Sequence, residues 1–242
     1  MKHLFWWVCL AIPFLFGCGA KKSSNTEEKT NANGTVTPAD TNVRIVPRYA
    51  KGFQVTYTDK GYCLLDIKDP QKEEGGESYH FVLAPKGTKV TGAPEGYTVI
   101  ETPVKSTVCM TSLQLSNFIK LSALDAVVGI TSTRHLFNAD MQKRLKEGKT
   151  HKIGIEGNFD NEVIMGIHPG VILISPFKRG GYDALTEVGI PLIPHLGYKE
   201  MTPLGQAEWI KFVGLLIGKE AQANRIFAEI EKRYQELVQL TA

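Results

Sequence analysis

From Val43 to Thr102 the apolar residues recur at every second position. Phe53, Val55 and Tyr57 alternate with polar residues, Asp59-Lys60-Gly61 turns the chain, and Cys63, Leu65 and Ile67 alternate again. After a polar loop rich in Glu and Gly, from Asp69 to Glu77, residues Tyr79, Phe81 and Leu83 supply a third strand. A period of two with Gly-bearing turns predicts an antiparallel meander, and no helical signal interrupts it.

Past Pro103 the pattern changes. Ser106 to Met110 reads as a short strand, and Ser112 is the expected N-cap of a helix carrying Leu113, Leu115, Phe118, Ile119 and Leu121. Ala126 to Ile130 and Val171 to Ile174 are continuous apolar runs of strand length, and Pro191 to Pro194 is a third. Helices are predicted over Asn138 to Glu147 (ended by Gly148), Asn161 to Ile167 (stopped by His168-Pro169-Gly170) and Tyr182 to Val188 (ended by Gly189). Short apolar strands alternating with helices predict a parallel sheet covered on both faces. The tail predicts two helices, Pro203 to Ile217 with a stripe of Trp209, Phe212, Val213 and Leu216, and Glu220 to Leu240 with Ile226, Ile230, Leu237 and Leu240 on one side. The first stripe is expected to pack on its own domain. The exposed apolar positions of the second helix suggest that further structure follows it.

The N-terminus is of another kind. Lys2 and His3 precede thirteen almost wholly apolar residues, Leu4 to Phe16. A transmembrane helix needs about 20, so this run has the length of a signal-peptide core. Gly19 to Thr41 is rich in Lys, Ser, Asn, Thr, Glu and Gly, a composition that buries too little surface to order itself and reads as a flexible tether. The run ends in Leu15-Phe16-Gly17-Cys18, which resembles the lipobox of bacterial lipoproteins. That resemblance implies a lipid on Cys18; an ordinary secretory signal with an incidental cysteine is the alternative.

Of the four cysteines, Cys63 and Cys109 remain in the body, where an oxidising compartment permits a disulfide and two buried free thiols are the other option. No Cys-x-x-Cys pair points to zinc or a thioredoxin-type site. A net charge of +3, without a long run of Lys or Arg, gives no reason to expect nucleic acid as a partner. There is no glycine-rich phosphate loop and no Gly-x-Ser-x-Gly elbow, and the acids form no evident catalytic pair. Neither enzymatic activity nor a resident cofactor or metal has positive evidence in the sequence.

Several elements then carry a family resemblance. Ser122-Ala123-Leu124-Asp125-Ala126-Val127-Val128-Gly129-Ile130, Gly148-Lys149 with Ile153-Gly154, the block Asn161-Glu162-Val163-Ile164-Met165-Gly166-Ile167-His168-Pro169-Gly170-Val171-Ile172-Leu173-Ile174, and Pro203 to Phe212 with Gly218-Lys219-Glu220 follow in order. Together they resemble the periplasmic substrate-binding proteins of ABC importers for ferric siderophores and cobalamin, over about residues 103–240. The resemblance implies two α/β lobes joined by a long rigid helix, with the ligand between them. The chain then divides into a signal peptide (residues 1–17), a lipidated flexible tether (18–42), a β-rich extension packed on the first lobe (43–102) that lies outside the family's common core, the first, Rossmann-like α/β lobe (103–202) and the connecting helical region (203–242). The second lobe is expected beyond Ala242.

The same resemblance implies a periplasmic, membrane-anchored binding protein that delivers a siderophore, haem or cobalamin to an ABC permease. Glu162 matches the surface glutamate that docks on permease arginines; in isolation, an acid in a first helical turn merely complements the helix dipole. Ligand contacts are expected from loops at the carboxyl ends of the parallel strands. These hold Thr111 and Ser112, then Ser132, Thr133, Arg134 and His135, then Phe177, Lys178, Arg179, Gly180, Gly181 and Tyr182. Arg134, Lys178 and Arg179 suit an anionic chelate, and Phe177 and Tyr182 suit a flat macrocycle; solvated loop charges and edge-covering aromatics are the alternatives. His135 and His195 are candidate haem ligands, an ordinary surface histidine being the alternative. The competing functional readings are a structural or adhesive surface lipoprotein using the β extension, and an enzyme on a related scaffold.

Overall fold

The computed structural model describes residues 43–72, 75–131, 136–155, 158–176, 182–187 and 189–241. The period-two region forms β1 (Phe53–Tyr57), β2 (Cys63–Lys68), β3 (Ser78–Pro85) and β4 (Thr98–Thr102), in the order β1-β2-β3-β4. The first three pair antiparallel, with Val55 opposite Leu65 and Leu65 opposite Phe81. The fourth departs from a pure meander, because β4 joins β3 in parallel with Leu83 beside Ile100. A parallel pair cannot be closed by a tight turn. The intervening chain instead crosses the outer face of the sheet, where Val90, Ala93 and Tyr97 cover Val82 and Ala84.

The second sheet contains β5 (Thr107–Cys109), β6 (Val127–Ile130), β7 (His151–Lys152), β10 (Val171–Ile174) and β11 (Leu192–Pro194), with a small hairpin of β8 (Gly154–Ile155) and β9 (Asn158–Phe159) inserted after β7. Its order is β11-β10-β5-β6-β7, and every pairing is parallel. All four residues of β10 are buried, as a continuous apolar run in a doubly covered sheet requires. One face packs Val108, Ile172 and Ile174 against Ile164 of α3 (Asn161–Ile167) and Leu185 of α4 (Asp183–Glu187). The other places Cys109, Val127, Ile130, Leu173 and Ile193 in one core with α1 (Ser112–Lys120), Met141 of α2 (Ala139–Lys146) and the inner face of the first sheet.

Between the two sheets runs α5 (Pro203–Ile217), followed by α6 (Glu220–Thr241). Thr202 caps α5, Pro203 occupies its first turn and Gly218 ends it at φ +71°, the left-handed conformation glycine adopts at no steric cost. The stripe expected on one side of α5 understates the result. Twelve of its fifteen residues are buried, so the helix is covered all round. The second cover is the first sheet: Phe53 meets Trp209 and Phe212 edge-on, with ring centroids 5.0 and 5.6 Å apart. In α6, Ala223 and Phe227 are buried, while Leu237 and Leu240 are exposed.

The α5–α6 contact is close enough to need a glycine. A Cβ on Gly214 would lie 2.5 Å from the Cβ of Ala223 and 3.1 Å from the carbonyl oxygen of Lys219. Helix propensity alone would favour alanine there by about 1 kcal/mol. Overpacking costs about 1–3 kcal/mol. Gly214→Ala is therefore expected to lower stability by up to about 2 kcal/mol in urea unfolding; a stabilised variant would show that the helices can part.

Cys63 in β2 and Cys109 in β5 are free and buried, which decides for separate thiols over a disulfide. Burial pushes the Cys63 thiol up to about 11 and raises that of Cys109 as well, so both behave as small apolar groups.

Candidate functional site

The strand order reverses between β5 and β10: from β5 the chain proceeds outward to β6 and β7, then returns to β10 and β11. In open parallel sheets ligands bind beyond the carboxyl ends of the strands at such a switch point. The residues there are Thr111 and Ser112 after β5, and Ser175 after β10.

Thr111, not Ser112, caps α1. Its hydroxyl accepts from the Gln114 backbone N–H at 3.3 Å, and Gln114 returns the contact: its Oε1 accepts from the backbone N–H groups of Met110 (2.7 Å) and Thr111 (3.1 Å). Ser112 is one residue inside the helix and exposed. The cap falls on Thr111 because its backbone is extended, at φ −142°, while Ser112 is already helical. Gln114 is fully buried, and its Nε2 lies 3.5 Å from Ser175 Oγ across the switch point. The Thr-x-x-Gln spacing of a capping box marks this residue in the sequence.

More buried polar groups brace the strand tips. Thr131 Oγ1 donates to the Met110 carbonyl at 2.8 Å, tying β6 to β5. His195, just past β11, donates its backbone N–H to Ile174. Its ring is not a haem ligand in reach of solvent: it is 1% exposed and lies 4.7 Å from the Trp209 ring, with Phe212 edge-on. Asn117 Nδ2 is 3.1 Å from His195 Nε2, which makes Nε2 the acceptor and leaves the proton on Nδ1. Among the described residues that Nδ1 meets no partner. Burial holds the imidazole down at about 4, so it is neutral.

Tyr182 is half-buried, and its ring stacks on Phe159 with centroids 5.3 Å apart and planes 21° from parallel. One ring face is thus taken by Phe159. Arg134, His135, Phe177, Lys178 and Arg179 lie outside the described residues, as does Cys18.

Glu162 is exposed in the first turn of α3, two residues past the N-cap Asp160, whose side chain accepts from the Val163 N–H at 3.0 Å. The capping demand is met by Asp160, and Glu162 makes no hydrogen bond or ion pair among the described residues. Because α3 runs back along the sheet before β10 begins, its first turn stands toward the strand tips.

No helix among the described residues is long and apolar enough to cross a membrane. No protein-family model matches the chain. The chain is similar to an uncharacterized lipoprotein of Methanocaldococcus jannaschii, 23% identical over 93% of this chain and 59% of that protein. Among solved structures it is similar to an ABC-type Fe3+-hydroxamate transport protein of Saccharomonospora viridis (TM-score 0.45, 19% identity, 55% of this chain and 50% of that one). A periplasmic haem-binding protein of Pseudomonas aeruginosa is also similar (TM-score 0.44, 15% identity, 56% and 46%). The chain spans a little over half the length of the curated relatives it matches.

Proposed function

We propose that this chain belongs to the substrate-binding component of an ABC importer for an iron complex (siderophore or haem) or cobalamin. It is a binding protein and not an enzyme, held at the membrane of the periplasm through lipid on Cys18. The observation that carries the reading is the β11-β10-β5-β6-β7 order, which opens a switch point at β5 and β10. The sequence assigns its ligand contacts to the loops at that end of the sheet. Thr111 and Tyr182 contribute beside Arg134, His135, Phe177, Lys178 and Arg179. The buried Gln114, Thr131 and Ser175 form the rigid floor under them. Glu162, exposed and without a partner among the described residues, docks on permease arginine.

Calorimetric titration of the intact protein with ferric hydroxamate siderophore, haem and cobalamin tests the reading. Binding of one of them is expected, weakened at least tenfold by Arg134→Ala or Lys178→Ala if the ligand is the anionic chelate. No binding of any would leave the surface-lipoprotein reading in its place. Glu162→Lys is expected to abolish uptake in cells while ligand affinity stays unchanged; unchanged uptake would remove the docking role.

A further inference from the structure

We propose that the groove beside Glu162 receives an apolar side chain of the permease segment whose arginine pairs with that carboxylate. The proposal rests on the docking reading of Glu162 and adds a second, apolar contact to it. The groove has a volume of about 470 Å³ and is lined by Val128, Lys149, His151, Val163, Gly166 and Ile167. Its floor is the half-buried side chains of Val128, Val163 and Ile167. Glu162 and Gly166 are four residues apart on α3, neighbours on one helix face about 5–6 Å apart. Glu162 therefore stands beside the groove, on the helix face that carries Gly166.

Gly166 is the observation that points to an occupant. It lies inside a helix, where glycine costs about 0.5–1 kcal/mol relative to alanine. Nothing in the fold requires it: its φ is ordinary, and a Cβ there would meet no atom within 4 Å. What its missing side chain provides is an open floor.

The charges around that floor define the partner. Glu162 stands beside it on α3, and the exposed Lys149 and His151 belong to its lining, with Lys149 also 2.8 Å from Glu147. A complementary segment carries an arginine for Glu162, an aliphatic or aromatic side chain for the apolar floor, and a carboxylate for Lys149. Arginine and large aromatic side chains are the residues enriched in energetically dominant contacts. The groove offers no buried polar group to hold an iron complex, so a polypeptide fits it better than the transported ligand does.

The test uses the intact protein and the ABC permease of the same genome reconstituted in nanodiscs, with binding read by interferometry. Gly166→Leu fills the groove where space is open and helix propensity rises, so its melting temperature should equal or exceed that of the wild type. Its permease affinity is expected to fall at least tenfold, while titrations with ferric hydroxamate, haem and cobalamin stay unchanged. His151→Glu, on the exposed rim, is expected to weaken docking at least threefold. Full affinity in Gly166→Leu with affinity lost in Glu162→Lys would overturn the groove and leave the docking role standing. Full affinity in Glu162→Lys, or no retention of the wild type, would overturn the docking role and the groove with it.

Discussion

Glu208→Ala is expected to lower unfolding stability by about 3–5 kcal/mol, the cost of removing one partner from a buried ion pair. Glu208 sits on α5 with its side chain fully buried, and its Oε1 accepts from Lys211 Nζ at 2.7 Å. Its Oε2 accepts from three successive backbone N–H groups, those of Arg48 (2.9 Å), Tyr49 (2.6 Å) and Ala50 (2.9 Å). Glu200 continues the series: its Oε1 accepts from Lys51 (2.9 Å), Gly52 (2.8 Å) and the Trp209 indole N–H (3.0 Å). Five consecutive backbone donors are thus held by two carboxylates. Alanine at 208 strands three of those donors and leaves the ammonium of Lys211 without its carboxylate.

Domains of this size have about 5–15 kcal/mol of stability in all, so this single change takes a large share of it. Glu236→Ala is the control. Glu236 pairs with Lys232 at 3.9 Å on the open side of α6, and its loss is expected to change stability by no more than about 0.5 kcal/mol. Urea midpoints of the two variants, at equal slope, decide the matter. A Glu208→Ala variant within 1 kcal/mol of the wild type would mean that water reaches these donors. The clasp also has an architectural consequence. Arg44 accepts from the Asn224 side chain, the Ile45 N–H donates to Tyr57, and Arg48 and Tyr49 both reach Glu231. The segment from Arg44 to Gly52 is thereby fastened directly to α5, α6 and the loop before α5.

None of that clasp is legible in the sequence. Glu200 and Glu208 meet partners about 150–160 residues away, and no local pattern links positions so far apart. What is legible is local. The bounds of α3 and α5 follow from His168-Pro169-Gly170, Pro203 and Gly218, because caps and breakers act within one turn. The apolar run Val171 to Ile174 identifies a central parallel strand for the same reason. By contrast β4 buries only Ile100 on the shared core and exposes Val99, so its alternation is too sparse to stand out. The two-sided burial of α5 escapes notice because its second cover comes from Phe53 and its neighbours, far earlier in the chain. At the candidate site Gln114 carries a capping-box signal that identifies it. His195 does not, since a lone histidine after a strand gives no sign of whether its ring faces water or Trp209.

That ring makes the second large prediction, a loss of stability in mild acid. An unfolded histidine titrates near 6.5, and burial holds His195 at about 4 in the fold. The folded state therefore binds the proton less readily than the unfolded state. Its contribution is fully present above pH 6.5, declines as pH falls from 6.5 to 4, and is lost below that. The gap of roughly two and a half units corresponds to about 3 kcal/mol. Among the described residues the ring meets Asn117, Trp209, Phe212 and Gly197, none of them charged, and Glu200 accepts from the Trp209 indole N–H. His195→Gln keeps a polar group beside Asn117 and removes the titration. Urea unfolding of both proteins from pH 8 to 4 should show their difference shifting toward the variant by about 3 kcal/mol as pH falls, because groups common to both cancel. A difference that stays flat across that range would mean that protonated His195 is tolerated in the core, with a partner for Nδ1 after all.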